Sequence, residues 1–213
     1  MPESSARYLV PARRHLVEEV IQKSRFITIG AHAPDAEAAH TFVEAVRQEY
    51  PDATHHCWAF VAGPPGMTTS IGMSDDGEPH GTAGRPMLHA LLHGDVGEIV
   101  AVCVRYYGGT KLGTGGLTRA YAGGIKLLLE GLPTRERVDR VSFQVVVEYA
   151  ALEPLQRFLQ GVDGRVVSED FGEEVTLHLA LPGERAQDLV QTVAELTRGK
   201  GIVQSLPVTG SGQ

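Results

Sequence analysis

With 213 residues, 42% of them hydrophobic, the chain carries enough apolar material for one large core or two smaller ones, and the length favours two. Its formal net charge of −7 excludes nucleic-acid binding through a bulk positive field, which needs clustered Lys and Arg. No apolar run approaches the roughly 20 residues that span a bilayer, residues 1–14 lack the apolar stretch of a secretory signal, and the only cysteines are Cys57 and Cys103; a reducing cytoplasm and no membrane are therefore expected.

In chain order, residues 16–32 predict two short strands around a polar turn at 22–24, with β-branched Ile27, Thr28 and Ile29 in the second. Asp35 caps a helix with Phe42, Val43 and Val46 on its apolar face, stopped after Tyr50 by Pro51. A strand is expected at 55–61, followed by some twenty loop-like residues around the breaker Gly63-Pro64-Pro65-Gly66. A helix begins near Pro86, buries Met87, Leu88, Leu91 and Leu92, and ends at Gly94. Residues 98–107 are apolar on both faces, the pattern of a central strand covered on both sides. A glycine-laden loop follows, with seven glycines in residues 108–124, and helical periodicity resumes at 117–131.

Pro133 closes a first domain of residues 1–135. The remainder predicts strand 143–149, helix 152–159, strands 165–171 and 174–181, helix 186–197 and strand 201–206. That is a β-α-β-β-α-β order of ferredoxin-like type spanning 140–208, with a polar tail at 209–213. Residues 1–135 hold 12 basic and 14 acidic side chains and 136–213 hold 7 and 12, so most of the net negative charge, −5 against −2, lies in the second part. No catalytic residue types cluster there, and the fold class is α+β.

Two polar, Gly-rich segments are the candidate functional surface. The first, residues 74–86, concentrates Asp75, Asp76, Glu78 and His80 just before a helix start at Thr82 to Pro86, which includes Arg85 as a further binding candidate. Three carboxylates could hold Mg²⁺ through oxygen, but the stronger reading is that Asp and Gly in tight turns bond their own backbone. The free amides of the helix start could accept an anion. In the second, residues 105–121, Gly108, Gly109, Gly113, Gly115 and Gly116 permit positive φ and close approach, while Arg105, Lys111 and Arg119 add mobile positive charge. This makes a phosphate or carboxylate cradle, or else only a loop folded tightly over the sheet. It is neither a Walker loop nor GxGxxG. His55 and His56 point to opposite faces of their strand and cannot serve one site; His55 is retained as a binding candidate. Cys57 sits among Trp58, Ala59 and Phe60, where a buried thiol is inert. The sequence contains no Gly-x-Ser-x-Gly elbow and no histidine pair is read in it as a metal site, so no catalytic residue, resident metal or cofactor is expected.

Four ordered motifs carry a family resemblance: Ser24-Arg-Phe-Ile27; Ala53-Thr-His-His-Cys-Trp-Ala59; Ser74-Asp-Asp-Gly-Glu-Pro79 with Gly81-Thr-Ala-Gly84; and Arg105-Tyr-Tyr-Gly-Gly109 continuing through Leu112-Gly113, Gly115-Gly-Leu117 and Arg119-Ala-Tyr121. Together they resemble the YigZ/IMPACT family. The resemblance implies a first domain folded like the second domain of a small-subunit ribosomal protein and a second like domain V of elongation factor G. It further implies a non-enzymatic, translation-associated regulator whose partner is RNA, the ribosome or a ribosome-linked protein. The alternative is a Mg²⁺-dependent enzyme acting on a small phosphorylated or nucleotide ligand.

Overall fold

The computed structural model describes residues 7–207; the tail expected at 209–213 lies outside them, as do residues 1–6. The described residues divide into two compact units, one of residues 8–137 and one containing residues 138–207. Both mix helices with antiparallel strands, so the protein is a two-domain α+β chain.

The larger unit is built on a five-stranded, fully antiparallel sheet in the order β2-β3-β6-β4-β5. Its strands are β2 (His15–Ile21), β3 (Ser24–His32), β4 (His55–Val61), β5 (Ile71–Ser74) and β6 (Ile99–Tyr106). A tight turn joins β2 to β3, with Gln22 and Lys23 both at positive φ, 46° and 68°, the sense that suits the twist of a hairpin. Helix α1 (Ala36–Glu49) begins where the sequence predicts: the Asp35 carboxylate accepts the Ala38 amide at 2.8 Å. It packs Val43 and Val46 against Ile27, Ile29, Val100 and Val102 on one sheet face. Helices α2 (Gly84–Leu92) and α3 (Gly113–Gly131) cover the other, where Met87, Leu91, Tyr121, Ile125 and Leu128 meet Phe26, Cys57, Ala101 and Cys103. Covered on both faces, β6 is buried along all but its last residue. Two short strands, β1 (Arg7–Pro11) and β7 (Thr134–Val138), pair separately.

Three expectations change. The stretch after β4 is not all loop, because β5 pairs there with β4. Helix α3 starts four residues earlier than its apolar period indicates, absorbing Gly113, Gly115 and Gly116 into its first turn. Within α3, Gly124 is required by close packing, since a Cβ there would lie 2.5 Å from Thr28 Oγ1 on β3, rather than on the central strand; Gly123 meets nothing within 4 Å and has no such compensation.

The smaller unit runs β8 (Arg140–Val147), α4 (Tyr149–Gly161), β9 (Arg165–Phe171), β10 (Val175–Pro182), α5 (Ala186–Thr197) and β11 (Ile202–Leu206). Its antiparallel sheet has the order β11-β8-β10-β9. Val175, Leu177, Leu179 and Leu181 alternate inward at 0% exposure and pack beneath α4 and α5 with Val145, Leu155 and Leu189. β9 is exposed at every residue.

Candidate functional site

The first Gly-rich segment leaves β5 as a tight turn. Asp76 and Gly77 stand at φ 43° and 85°, and the Glu78 amide closes the turn on the Asp75 carbonyl at 3.0 Å. Both central residues at positive φ define the Asp-Gly type I′ geometry. The turn sends its three carboxylates in three directions. Asp75 reaches forward to the start of α2: Oδ1 accepts the amides of Ala83 at 3.0 Å and Gly84 at 2.8 Å, and Oδ2 that of Gly81 at 2.7 Å. Burial pushes this carboxyl up, but the three backbone donors outweigh it and hold it below the ordinary carboxylate range. Gly84 is required there, since a Cβ would stand 2.9 Å from the Ser74 backbone. Asp76 turns back to β4, accepting the His56 amide at 2.6 Å and Arg47 Nη2 at 2.8 Å.

Glu78 goes inward. It is 8% exposed, and its Oε1 accepts Arg105 Nη1 at 2.5 Å and the Tyr121 hydroxyl at 2.7 Å. Arg105, at 5% exposure, also donates to Ser24 Oγ at 3.3 Å. Its guanidinium carbon lies 5.3 Å from the centroid of the Phe26 ring and 5.6 Å from that of Tyr107. Arg105 is thus a fixed, buried cation rather than the mobile charge its position in a Gly-rich segment predicts. Its Nε is buried and has no hydrogen-bond partner.

The second segment divides by function. Gly108 serves close approach, since a Cβ would collide with the Lys23 carbonyl. Gly109 and Gly113 take positive φ, 83° and 71°, whereas Gly115 and Gly116 do not need it. The start of α3 has no side-chain cap and no acidic residue in its first turn. Lys111 and Arg119 are exposed. The Arg119 Nη1 atom reaches back to within 3.6 Å of the place a Cβ on Gly115 would take.

The two segments meet in a cavity of about 530 Å³. His55, Gly77, Glu78 and Pro79 line it from the β4 and turn side, and Arg105, Lys111 and Gly113 from the other. Thr54, Tyr107, Leu112, Thr114 and Leu117 also line it, although sequence reasoning did not single them out; only the aromatic Tyr107, 47% exposed, stands out as a surface anomaly in retrospect. His55 Nδ1 lies 2.8 Å from the Asp76 carbonyl oxygen, so it carries the proton and donates, leaving Nε2 without a proton in the neutral ring.

The remaining predicted site residues lie outside the lining. Asp75, Asp76 and Thr82 hold the turn and α2, with Thr82 Oγ1 donating to the Pro79 carbonyl at 2.6 Å, while Arg85 is exposed on α2. Gly108, Gly109, Gly115, Gly116 and Arg119 flank the cavity in sequence without lining it. The α2 start, expected to offer free amides to an anion, is filled by Asp75. Among the described residues no group of three or more His, Cys, Asp or Glu side chains is placed to hold a metal ion. Burial drives the Cys57 thiol above its ordinary range and that of Cys103 up to about 12, which removes both as nucleophiles.

Comparison with known proteins gives concordant results. Residues 22–129 match the Impact N-terminal domain, and residues 145–200 match a domain of unknown function, DUF1949. The chain is 46% identical to the IMPACT family member YigZ of Escherichia coli K12, over 90% of this chain and 94% of that protein. It is 41% identical to an IMPACT family member of Haemophilus influenzae, over 95% and 98% of the two chains. A crystal structure of a hypothetical protein superposes with a TM-score of 0.67 at 44% identity, covering 95% of this chain and 98% of that one. With its first unit matched across all four motifs and relatives aligned over nearly their full lengths, the chain belongs to the IMPACT family.

Proposed function

We propose that this protein is a non-enzymatic, translation-associated regulator that binds RNA through the cavity lined by its two Gly-rich segments. The observation that carries the reading is the convergence of both segments on one cavity of about 530 Å³, a size that accepts a nucleotide-sized group. Tyr107 offers a half-exposed ring on which a base can stack, and Lys111 and Arg119 place exposed cations at the adjoining helix start. Family membership supports a translation-related role. With a net charge of −7, attraction for phosphate has to be local. The Mg²⁺-dependent enzyme draws less support, because Asp75, Asp76 and Glu78 are each engaged by protein donors.

The test is fluorescence anisotropy with short single-stranded RNA across a salt series. Binding should be measurable at low salt and weaken as salt rises, and Lys111→Ala with Arg119→Ala should lower both affinity and salt slope. RNA that fails to bind at low salt, or binds the double variant as well as the wild type, refutes the reading.

A further inference from the structure

We propose that the cavity between the two Gly-rich segments reads guanine: the base stacks on Tyr107, while the free oxygen of Glu78 and the unprotonated nitrogen of His55 accept its N–H groups. The inference names the ligand of the RNA-binding reading above and rests on it. What carries it is the way the buried ion pair is made. A guanidinium and a carboxylate commonly meet through two parallel hydrogen bonds, one to each oxygen. Here Arg105 Nη1, at 2.5 Å, and the Tyr121 hydroxyl, at 2.7 Å, both donate to Glu78 Oε1. Among the described residues nothing donates to Oε2, and that oxygen is not sealed from the surface. The Glu78 side chain is only 3% exposed, and the residue lines the cavity. Acceptors this deep are rarely left unpaired, so Oε2 points to a donor from outside the chain.

His55 adds a second acceptor on the same cavity. Its Nδ1–H donates to the Asp76 carbonyl at 2.8 Å, which leaves Nε2 to accept, and no described residue donates to it. The turn holds the ring closely, since a Cβ on Gly77 would lie 3.3 Å from Nδ1. Tyr107 supplies the flat surface: its ring is 47% exposed, with the Arg105 guanidinium carbon 5.6 Å from its centroid.

Charge and hydrogen-bond pattern select the ligand. Two acceptors would also suit an ammonium group, but Arg105 cancels Glu78 and Lys111 remains on the lining, so a cation gains nothing there. A neutral, flat group with adjacent donors fits. Guanine alone among the four RNA bases carries N1–H and an N2 amino group side by side, with the O6 acceptor next to them for the Lys111 ammonium. Adenine and cytosine offer one amino group beside a ring acceptor, and uracil one N–H between two carbonyls. Each would set an acceptor against an acceptor, at the cost of an unpaired polar group. Single-stranded RNA is read in this manner, by stacking on aromatic rings and by hydrogen bonds to Watson–Crick edges.

The test measures anisotropy with short oligouridine strands carrying one central guanine, adenine, cytosine or hypoxanthine, beside plain oligouridine. Guanosine and adenosine monophosphates are run in parallel thermal-shift arms. The guanine strand should bind roughly tenfold more tightly than the adenine, cytosine and plain strands. Hypoxanthine, which lacks only the N2 amino group, should lose most of that gain. Glu78→Gln keeps an amide oxygen beneath Arg105 and Tyr121 but puts an NH₂ group in place of Oε2, and should erase the preference. Should Glu78→Gln fail to fold, the hypoxanthine strand still decides on the wild type. Equal binding of all strands, or preference for another base, overturns the guanine site and leaves the RNA reading standing. Hypoxanthine binding as well as guanine, or a folded Glu78→Gln that keeps the preference, also overturns the site. If no strand binds, yet guanosine monophosphate alone stabilises the wild type, the RNA reading falls and the site stands with a free guanine nucleotide as ligand. If nothing binds, both are refuted.

Discussion

The starts of α2 and α3 are two solutions to one problem. Both follow glycine-rich segments and both present unsatisfied amides, but α2 is closed by the Asp75 carboxylate while α3 has no side-chain cap. The difference teaches that similar local composition can yield a capped structural joint in one place and an uncapped helix start in another. What separates them is whether a neighbouring turn aims an acid at the amides.

The comparison can be broken most forcefully at the element between the two helices, the Arg105–Glu78 pair. Arg105→Ala leaves a buried carboxylate with only the Tyr121 hydroxyl as donor and should cost about 3–5 kcal/mol in denaturant unfolding. Next in size is Gly84→Ala, whose Cβ would press to 2.9 Å from the Ser74 backbone; prising α2 from β5 should cost about 1–3 kcal/mol. Removing the α2 cap itself, Asp75→Ala, should cost about 0.5–2 kcal/mol.

This cap also carries a pH signature. The Asp75 carboxyl is held below its ordinary range in the folded chain, so its contribution is complete above that range and is lost as pH falls through the depressed folded value. Thermal melts should show the wild type losing stability below about pH 4, and Asp75→Asn should flatten that loss. The smallest effect has the opposite sign. Thr114→Asp supplies α3 with the acid it lacks and should raise stability by about 0.3–1 kcal/mol, whereas a second acid at the closed α2 start, Arg85→Asp, should not. Equal responses at the two helix starts would dissolve the contrast between them.

Much of the fold was legible because local chemistry and tertiary packing agree. Asp35 ahead of an apolar period marked α1, and the doubly apolar run over residues 98–107 marked the central strand, observed at Ile99–Tyr106. β5 was not legible, being four residues long with a glycine at its second position, too short for a period. The α3 start was hidden because three of its first four residues are glycine, which local propensity assigns to loop; burial of Leu117, Tyr121, Ile125 and Leu128 overrides that preference. For the candidate site, His55, Glu78, Arg105, Lys111 and Gly113 were read from sequence and do line the cavity. Tyr107 and Thr114 were passed over, since nothing in their neighbours signals that a strand end and a helix start face one space.

The sequence by itself determined the turns, the strand and helix periods, the motifs of the IMPACT family, and the two segments where polar and glycine residues concentrate, because each depends on residues a few positions apart. Tertiary structure alone decided which of those residues are machinery and which are surface. Glu78 and Arg105 are 27 residues apart, Glu78 and Tyr121 are 43 apart, and only the antiparallel sheet with α3 packed across it brings these charges into one buried network. The same packing turns the apparently mobile Arg105 into a fixed donor, gives the α2 amides to Asp75, and leaves those of α3 open.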